Sequence, residues 1–143
     1  MPAVNQTLVF LPVLVVVALT IVAFVKMGAA RAGAMKTGMN ADFYRAHLGE
    51  PEPEGARAAA RHWDNLFELP TLFYAGCITA FVLGGVGTWT LVFAWGFAAA
   101  RVVQSLIHMT YNSPAHRGMA FALGVVFVLA LWINIAVLIL AVV

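Results

Sequence analysis

The chain has 143 residues, 63% of them hydrophobic and only 10% charged, with a mean hydropathy of +0.93. Such values exclude an ordinary soluble domain and describe a protein built from several membrane spans. A net charge of +2, with no Lys/Arg run able to follow a phosphate backbone, excludes nucleic acid as a partner. The single cysteine, Cys77, sits deep in an apolar run, which excludes a disulfide framework and a paired-cysteine metal site and reads as a small buried hydrophobe.

In chain order, the first predicted helix covers about residues 5–33. Its apolar run Thr7 to Val25 is long enough to cross roughly 30 Å of hydrocarbon. The first eight residues carry no Lys or Arg and the run ends at Lys26, the reverse of a cleaved signal peptide, so this helix is expected to be retained. Pro12 is expected to kink it or to mark its effective start. Beyond Lys26, the small residues Ala29, Ala30 and Ala32 beside Arg31 suit close approach of another helix.

Residues 34–55 form the one extended polar segment and read as an aqueous loop. Its EPEPE run, Glu50 to Glu54, reads as a solvated turn; prolines hold the three glutamates extended, which makes a cation site from them a poor alternative. A second helix follows over 56–83, with Trp63 near the headgroups. Gly84, Gly85 and Gly87 then make a tight turn. The third helix covers 88–111 and carries the small pair Gly96 and Ala100. Asn112, Ser113 and Pro114 break it, and the fourth covers 115–141. The fold expected is therefore all-α: one domain, a four-helix integral membrane bundle without internal repeats.

Every Lys, Arg, Asp and Glu lies between Lys26 and Arg117, on or near the first and third connections. The positive-inside bias then places the long loop and the Asn112–Arg117 turn in the cytoplasm and both termini on the far side. In a bacterial host the membrane would be the inner one.

Two stretches break the apolar pattern in a periodic way. Arg61, Asn65 and Glu68 are four and three residues apart and project from one face of the second helix, with Asp64 beside them. On the third helix Arg101, Gln104 and His108 are three and four apart, and Arg117 opens the fourth helix at the same end. Charged groups in hydrocarbon cost about 2.5–3.5 kcal/mol each on insertion scales, so these stripes must meet a partner helix, an aqueous cavity or a ligand. One reading is purely structural, an Arg101–Glu68 ion pair with Asn65 and Gln104 as interhelical hydrogen bonds. The other rests on an excess of donors: Arg61, Arg101, Arg117, Asn65 and Gln104 outnumber Glu68 and Asp64, which suits a pocket for a small polyanion.

The order Arg61, three residues, Asn65, two residues, Glu68, one residue, Pro70 resembles the second-helix signature of the membrane-associated proteins in eicosanoid and glutathione metabolism, the MAPEG family. Arg101 in the third helix and Arg117 opening the fourth continue the resemblance, in the order seen in the microsomal glutathione transferase and prostaglandin E synthase branches, and it extends over nearly the whole chain. It implies a homotrimer that binds glutathione as co-substrate between subunits near the cytosolic face. Arg61, Asn65 and Glu68 would hold the tripeptide backbone, with Glu68 taking its ammonium. Arg101, Gln104 and His108 would line the site from the third helix, and Arg117 would be the catalytic residue that keeps the thiol as thiolate. The implied activity is transfer of glutathione to a lipophilic electrophile arriving from the bilayer, or reduction of a lipid hydroperoxide. Arg31 is either a further carboxylate contact or a snorkelling interfacial arginine.

The chain departs from the family pattern at His108 and Phe121, where tyrosines are expected, and at Asp64, often basic in the prostaglandin branch. Two other classes of function stand beside the enzyme. One is a noncatalytic lipid-binding protein of the same family; the other is a small transporter, disfavoured because the polar stripe thins out beyond Glu68 and Arg101. His47, His62, His108 and His116 have no close metal spacing, so no zinc site is expected. Ser105, Trp132 and Asn134 read as helix-packing residues, and Tyr111 as an interfacial anchor or a lid.

Overall fold

The computed structural model describes residues 4–46 and 49–141. Among these residues the chain is all-α. A single 3-10 turn, Gln6–Val9, leads into α1 (Phe10–Lys36); α2 (Asp42–Ala46), α3 (Glu54–Val82), α4 (Thr88–Met109) and α5 (Pro114–Leu140) follow. The helices α1, with its leading turn, α3, α4 and α5 are long and apolar enough to cross a membrane. Pro12 falls in the first turn of α1, where no intrahelical N–H bond is lost, so it marks the start of the helix as expected. Pro70 lies inside α3 and is buried.

Helix α1 runs to Lys36, and the polar segment after it holds the short helix α2. The loop is less solvated than its composition suggests. Glu52 is only 4% exposed and takes a 2.8 Å hydrogen bond from Arg31 Nε. The same guanidinium lies 5.4 Å from the Tyr44 ring centre. The EPEPE run is thus solvated only at its flanks, because its central carboxylate is tied to the end of α1.

The core runs down the middle of the bundle. Phe73 of α3 stacks on Phe97 of α4 with ring centres 4.4 Å apart, and Val16, Cys77, Val128 and Leu131 close around them. Large apolar side chains such as Leu14, Val25, Val82 and Ile133 point outward, as a lipid-facing exterior requires. Helix contact rests on small residues: a Cβ placed on Gly96 would lie 2.4 Å from the Phe127 ring, so α4 and α5 are in contact there through a bare backbone. Gly84, with φ +64, ends α3 in the left-handed region and turns the chain toward α4.

At this end of the bundle the polar contacts are neutral. Gln6 donates to the Val86 carbonyl at 3.1 Å and accepts from the Val86 N–H at 2.8 Å, which pins the N-terminal turn to the α3–α4 connection. Asn134 of α5 donates to Thr90 of α4 at 3.0 Å, and Trp132 donates to the Leu72 carbonyl at 3.1 Å, so both side chains join helices. The substitution Gly96→Ala is expected to destabilise the bundle by about 1–3 kcal/mol through overpacking. Thermal unfolding in detergent checks this, with Gly28→Ala, whose added methyl meets nothing within 4 Å, as the neutral control.

Candidate functional site

The polar stripes meet at the other end, where α3 begins, α4 ends and α5 starts. Arg101 is their deepest member, 1% exposed. Its guanidinium donates to the backbone carbonyl of Asn65 on α3 and, at 2.6 Å, to Gln104 Oε1 on its own helix, while its Nε has no partner within the chain. No ion pair joins it to Glu68; the ion pairs among the described residues are Arg31–Glu52 and Arg45–Asp42. Glu68 lies exposed on α3, about 4.5 Å further along the axis than Asn65 at 1.5 Å per residue. The structural reading of the stripes as an Arg101–Glu68 pair therefore does not hold within one chain.

Arg117, on the first turn of α5, is the hub of the concave surface. One cavity, of about 430 Å³, is lined by Glu54, Arg57 and Arg61 of α3 together with Asn112, Pro114 and Arg117. A second, of about 250 Å³, is lined by Asn65, Gln104, Gly118 and Phe121, again with Pro114 and Arg117. Both are lined by Arg117 and Pro114, so the two adjoin at Arg117 and together make up the concave surface there. Three guanidinium groups face a single carboxylate, Glu54, in its lining. That balance is suited to an anion, since a guanidinium can grip a carboxylate with two parallel N–H bonds.

The Arg117 side chain is held from behind. His108 Nε2 accepts from Arg117 Nη1 at 2.9 Å, and the His108 ring lies against His62 with centres 4.8 Å apart. His62 in turn is bonded to Ser105 Oγ at 2.9 Å, so Ser105 pairs across helices rather than with His108 on its own. Arg117 Nε and Asn112 Oδ1 are buried with no partner in the chain. Asn112 adopts a φ of +50, which the turn between α4 and α5 imposes and which asparagine tolerates better than most residues.

Of the residues singled out from the sequence, Arg61, Asn65, Gln104 and Arg117 line the concavity directly. Arg101 lies behind Gln104, His108 behind Arg117, and Glu68 outside on the exposed side of α3. Arg31 is engaged by Glu52. Arg57 and Asn112 were missed. Arg57 was legible in principle, since it stands four residues before Arg61 and extends the same stripe by one turn; Asn112 gives no signal beyond its turn position. Tyr111 bonds His116 at 3.0 Å at the mouth of an apolar groove of about 620 Å³ between α4 and α5. Among the described residues no group of three His, Cys, Asp or Glu side chains converges on a metal-sized space, and His47 lies outside those residues.

Removing the deepest guanidinium separates scaffold from ligand contacts. Arg101→Ala is expected to cost about 2–4 kcal/mol of stability, because the Asn65 carbonyl and Gln104 lose their donor and a buried space opens. Glu50→Gln, at an exposed position in the polar loop, is expected to change stability by less than about 0.5 kcal/mol. Chemical unfolding of both variants in detergent measures the difference.

No curated protein and no solved structure matches the chain. The model of the MAPEG family matches it over residues 9–137, from the last residue of the leading turn to near the end of α5. That span takes in the Arg61–Asn65–Glu68 stripe, Arg101 and Arg117, and the chain belongs to the MAPEG family, a multi-pass integral membrane protein of four spanning helices.

Proposed function

We propose that the protein is a glutathione-dependent membrane transferase or peroxidase acting on lipophilic electrophiles or lipid hydroperoxides. The observation that carries this reading is the donor-rich concavity around Arg117, with Arg57, Arg61, Asn65 and Gln104 in its walls. Glutathione has two carboxylates, an ammonium and a thiol. The guanidinium groups suit the carboxylates, Glu68 on the adjoining face of α3 suits the ammonium, and Arg117 suits the sulfur. A free thiol has a pKa of about 8.5, and a neighbouring guanidinium favours the thiolate, which is the nucleophile.

In the transferase reaction the thiolate forms a carbon–sulfur bond while the electron pair of the breaking bond leaves with the electrophile's departing group or opened oxygen, which takes a proton. In the peroxidase reaction the thiolate attacks the hydroperoxide's outer oxygen and the O–O bond breaks. The lipid alcohol leaves, and a second glutathione converts the sulfenic acid to a disulfide with loss of water. Arg117 serves both by stabilising negative charge on sulfur, with one of its N–H groups anchored on His108.

The same reading makes the protein a homotrimer surrounded by membrane lipid. Arg61, Asp64 and Glu68 are exposed along one helix, and a charge facing hydrocarbon costs about 2.5–3.5 kcal/mol on insertion scales, so this face of α3 suits a subunit contact. The Lys and Arg at the polar end of the bundle, with the α1–α3 loop and the α4–α5 turn, support a cytoplasmic location for that end. A noncatalytic lipid-binding role is the second reading, favoured by the apolar groove between α4 and α5.

Calorimetric titration of glutathione into the detergent-solubilised protein is expected to show binding that weakens at least tenfold, or about 1.4 kcal/mol, in Arg61→Ala, Glu68→Ala or Arg117→Ala. Absence of binding by well-folded wild type up to millimolar glutathione would sink the enzyme reading and leave the lipid-binding one. Native mass spectrometry is expected to find three copies; a monomer in mild detergent would remove the subunit contact.

A further inference from the structure

Behind the Arg117 concavity, and sharing Ala58 with its wall, a cavity of about 190 Å³ lies between α1, α3 and α4, walled in part by α1, which the concavity does not touch. Lys26, His62 and His108 are its polar lining, and no carboxylate is among the residues around it. His108 is 6% exposed and His62 5%.

The bond to Arg117 decides where the His108 proton sits. A guanidinium has donors only and stays protonated, so His108 Nε2, 2.9 Å from Arg117 Nη1, must be the acceptor. The ring is then neutral with its proton on Nδ1. That N–H is buried and has no partner in the chain, on a ring that lines the cavity. A buried donor without an acceptor is costly, and the cavity is where its acceptor belongs.

The remaining surroundings favour negative charge in that space. Lys26, an exposed residue at the edge of the cavity, adds a basic side chain to its lining. Gly55 comes from the first turn of the 29-residue α3, which has no side-chain cap and carries the positive end of the helix dipole, with the Glu54 carboxylate in the same turn outside the cavity lining. The opposing carbonyl end of α4 is partly engaged, since the Ile107 carbonyl accepts from the N–H groups of Thr110 and Asn112. We propose that this cavity binds a small monovalent anion, a halide or a short carboxylate, between Lys26, His62 and the Nδ1–H of His108.

The volume fits that class. With about 30 Å³ per water, it holds an ion with a few waters but excludes a tripeptide. An anion on Nδ1–H would also strengthen Nε2 as an acceptor, and so hold Arg117 more firmly in the concavity. The site stands whatever ligand Arg117 meets.

The test uses the full-length protein in detergent with ¹⁵N-labelled histidine, titrated with sodium bromide or sodium formate in place of sodium gluconate at constant ionic strength. The expected result is His108 in its Nδ1–H form, with saturable shifts of the His108 and His62 ring signals. Saturation by bromide alone assigns a halide site, by formate alone a carboxylate site, and by both a site for either. In Lys26→Gln the midpoint is expected to rise by about tenfold or more. Shifts that grow linearly in both salts would overturn the proposal. So would His108 carrying its proton on Nε2, or a Lys26→Gln variant that titrates like wild type.

Discussion

A guanidinium held inside a membrane-spanning helix, without a carboxylate against it, constrains everything at the polar end of this bundle. Arg101 is tied to α3 through the Asn65 carbonyl and to Gln104 on α4, two neutral acceptors. Taking such a charge out of water costs several kcal/mol even after relaxation, and neutral partners offset only part of that cost. The positive charge therefore continues to act on its surroundings. Glu68, the carboxylate nearest in register, points outward, and the adjoining concavity gathers three more guanidinium groups. That imbalance of charge is what the proposed anionic ligand would offset.

The two ends of the bundle obey different rules. At the far end, amide and hydroxyl groups satisfy one another: Gln6 with the Val86 backbone, Asn134 with Thr90, Trp132 with the Leu72 carbonyl. Such contacts hold helices together without a net charge. At the polar end lie the buried side-chain polar atoms that have no partner among the described residues, on Arg101, His108, Asn112 and Arg117. Orphaned donors and acceptors are costly in a scaffold and useful in a site, and their gathering at this end supports the proposed ligand site.

Between the ends, packing is set by small residues. The Phe127 ring lies against the bare backbone of Gly96, and Gly76 lets Leu131 come within 3.0 Å of where a Cβ would stand. Lipid is as apolar as leucine, so close fit rather than hydrophobic burial brings these helices together. That close fit gives α4 and α5 the fixed crossing on which Arg101, His108 and Arg117 depend for their mutual placement.

The class of the protein, its four spans and the polar stripes are properties of composition and period, and the sequence alone determined them. A charge in an apolar run is costly enough that Arg61, Asn65, Glu68, Arg101 and Arg117 stand out without any coordinates. Which partner each one takes was decided only by tertiary structure. Arg31 meets Glu52 across 21 residues, His62 meets Ser105 across 43, and Arg101 meets a backbone carbonyl rather than the expected Glu68 side chain. Helical period places a side chain on a face; the crossing of two helices determines what that face meets, and the crossing depends on packing between residues far apart in the chain.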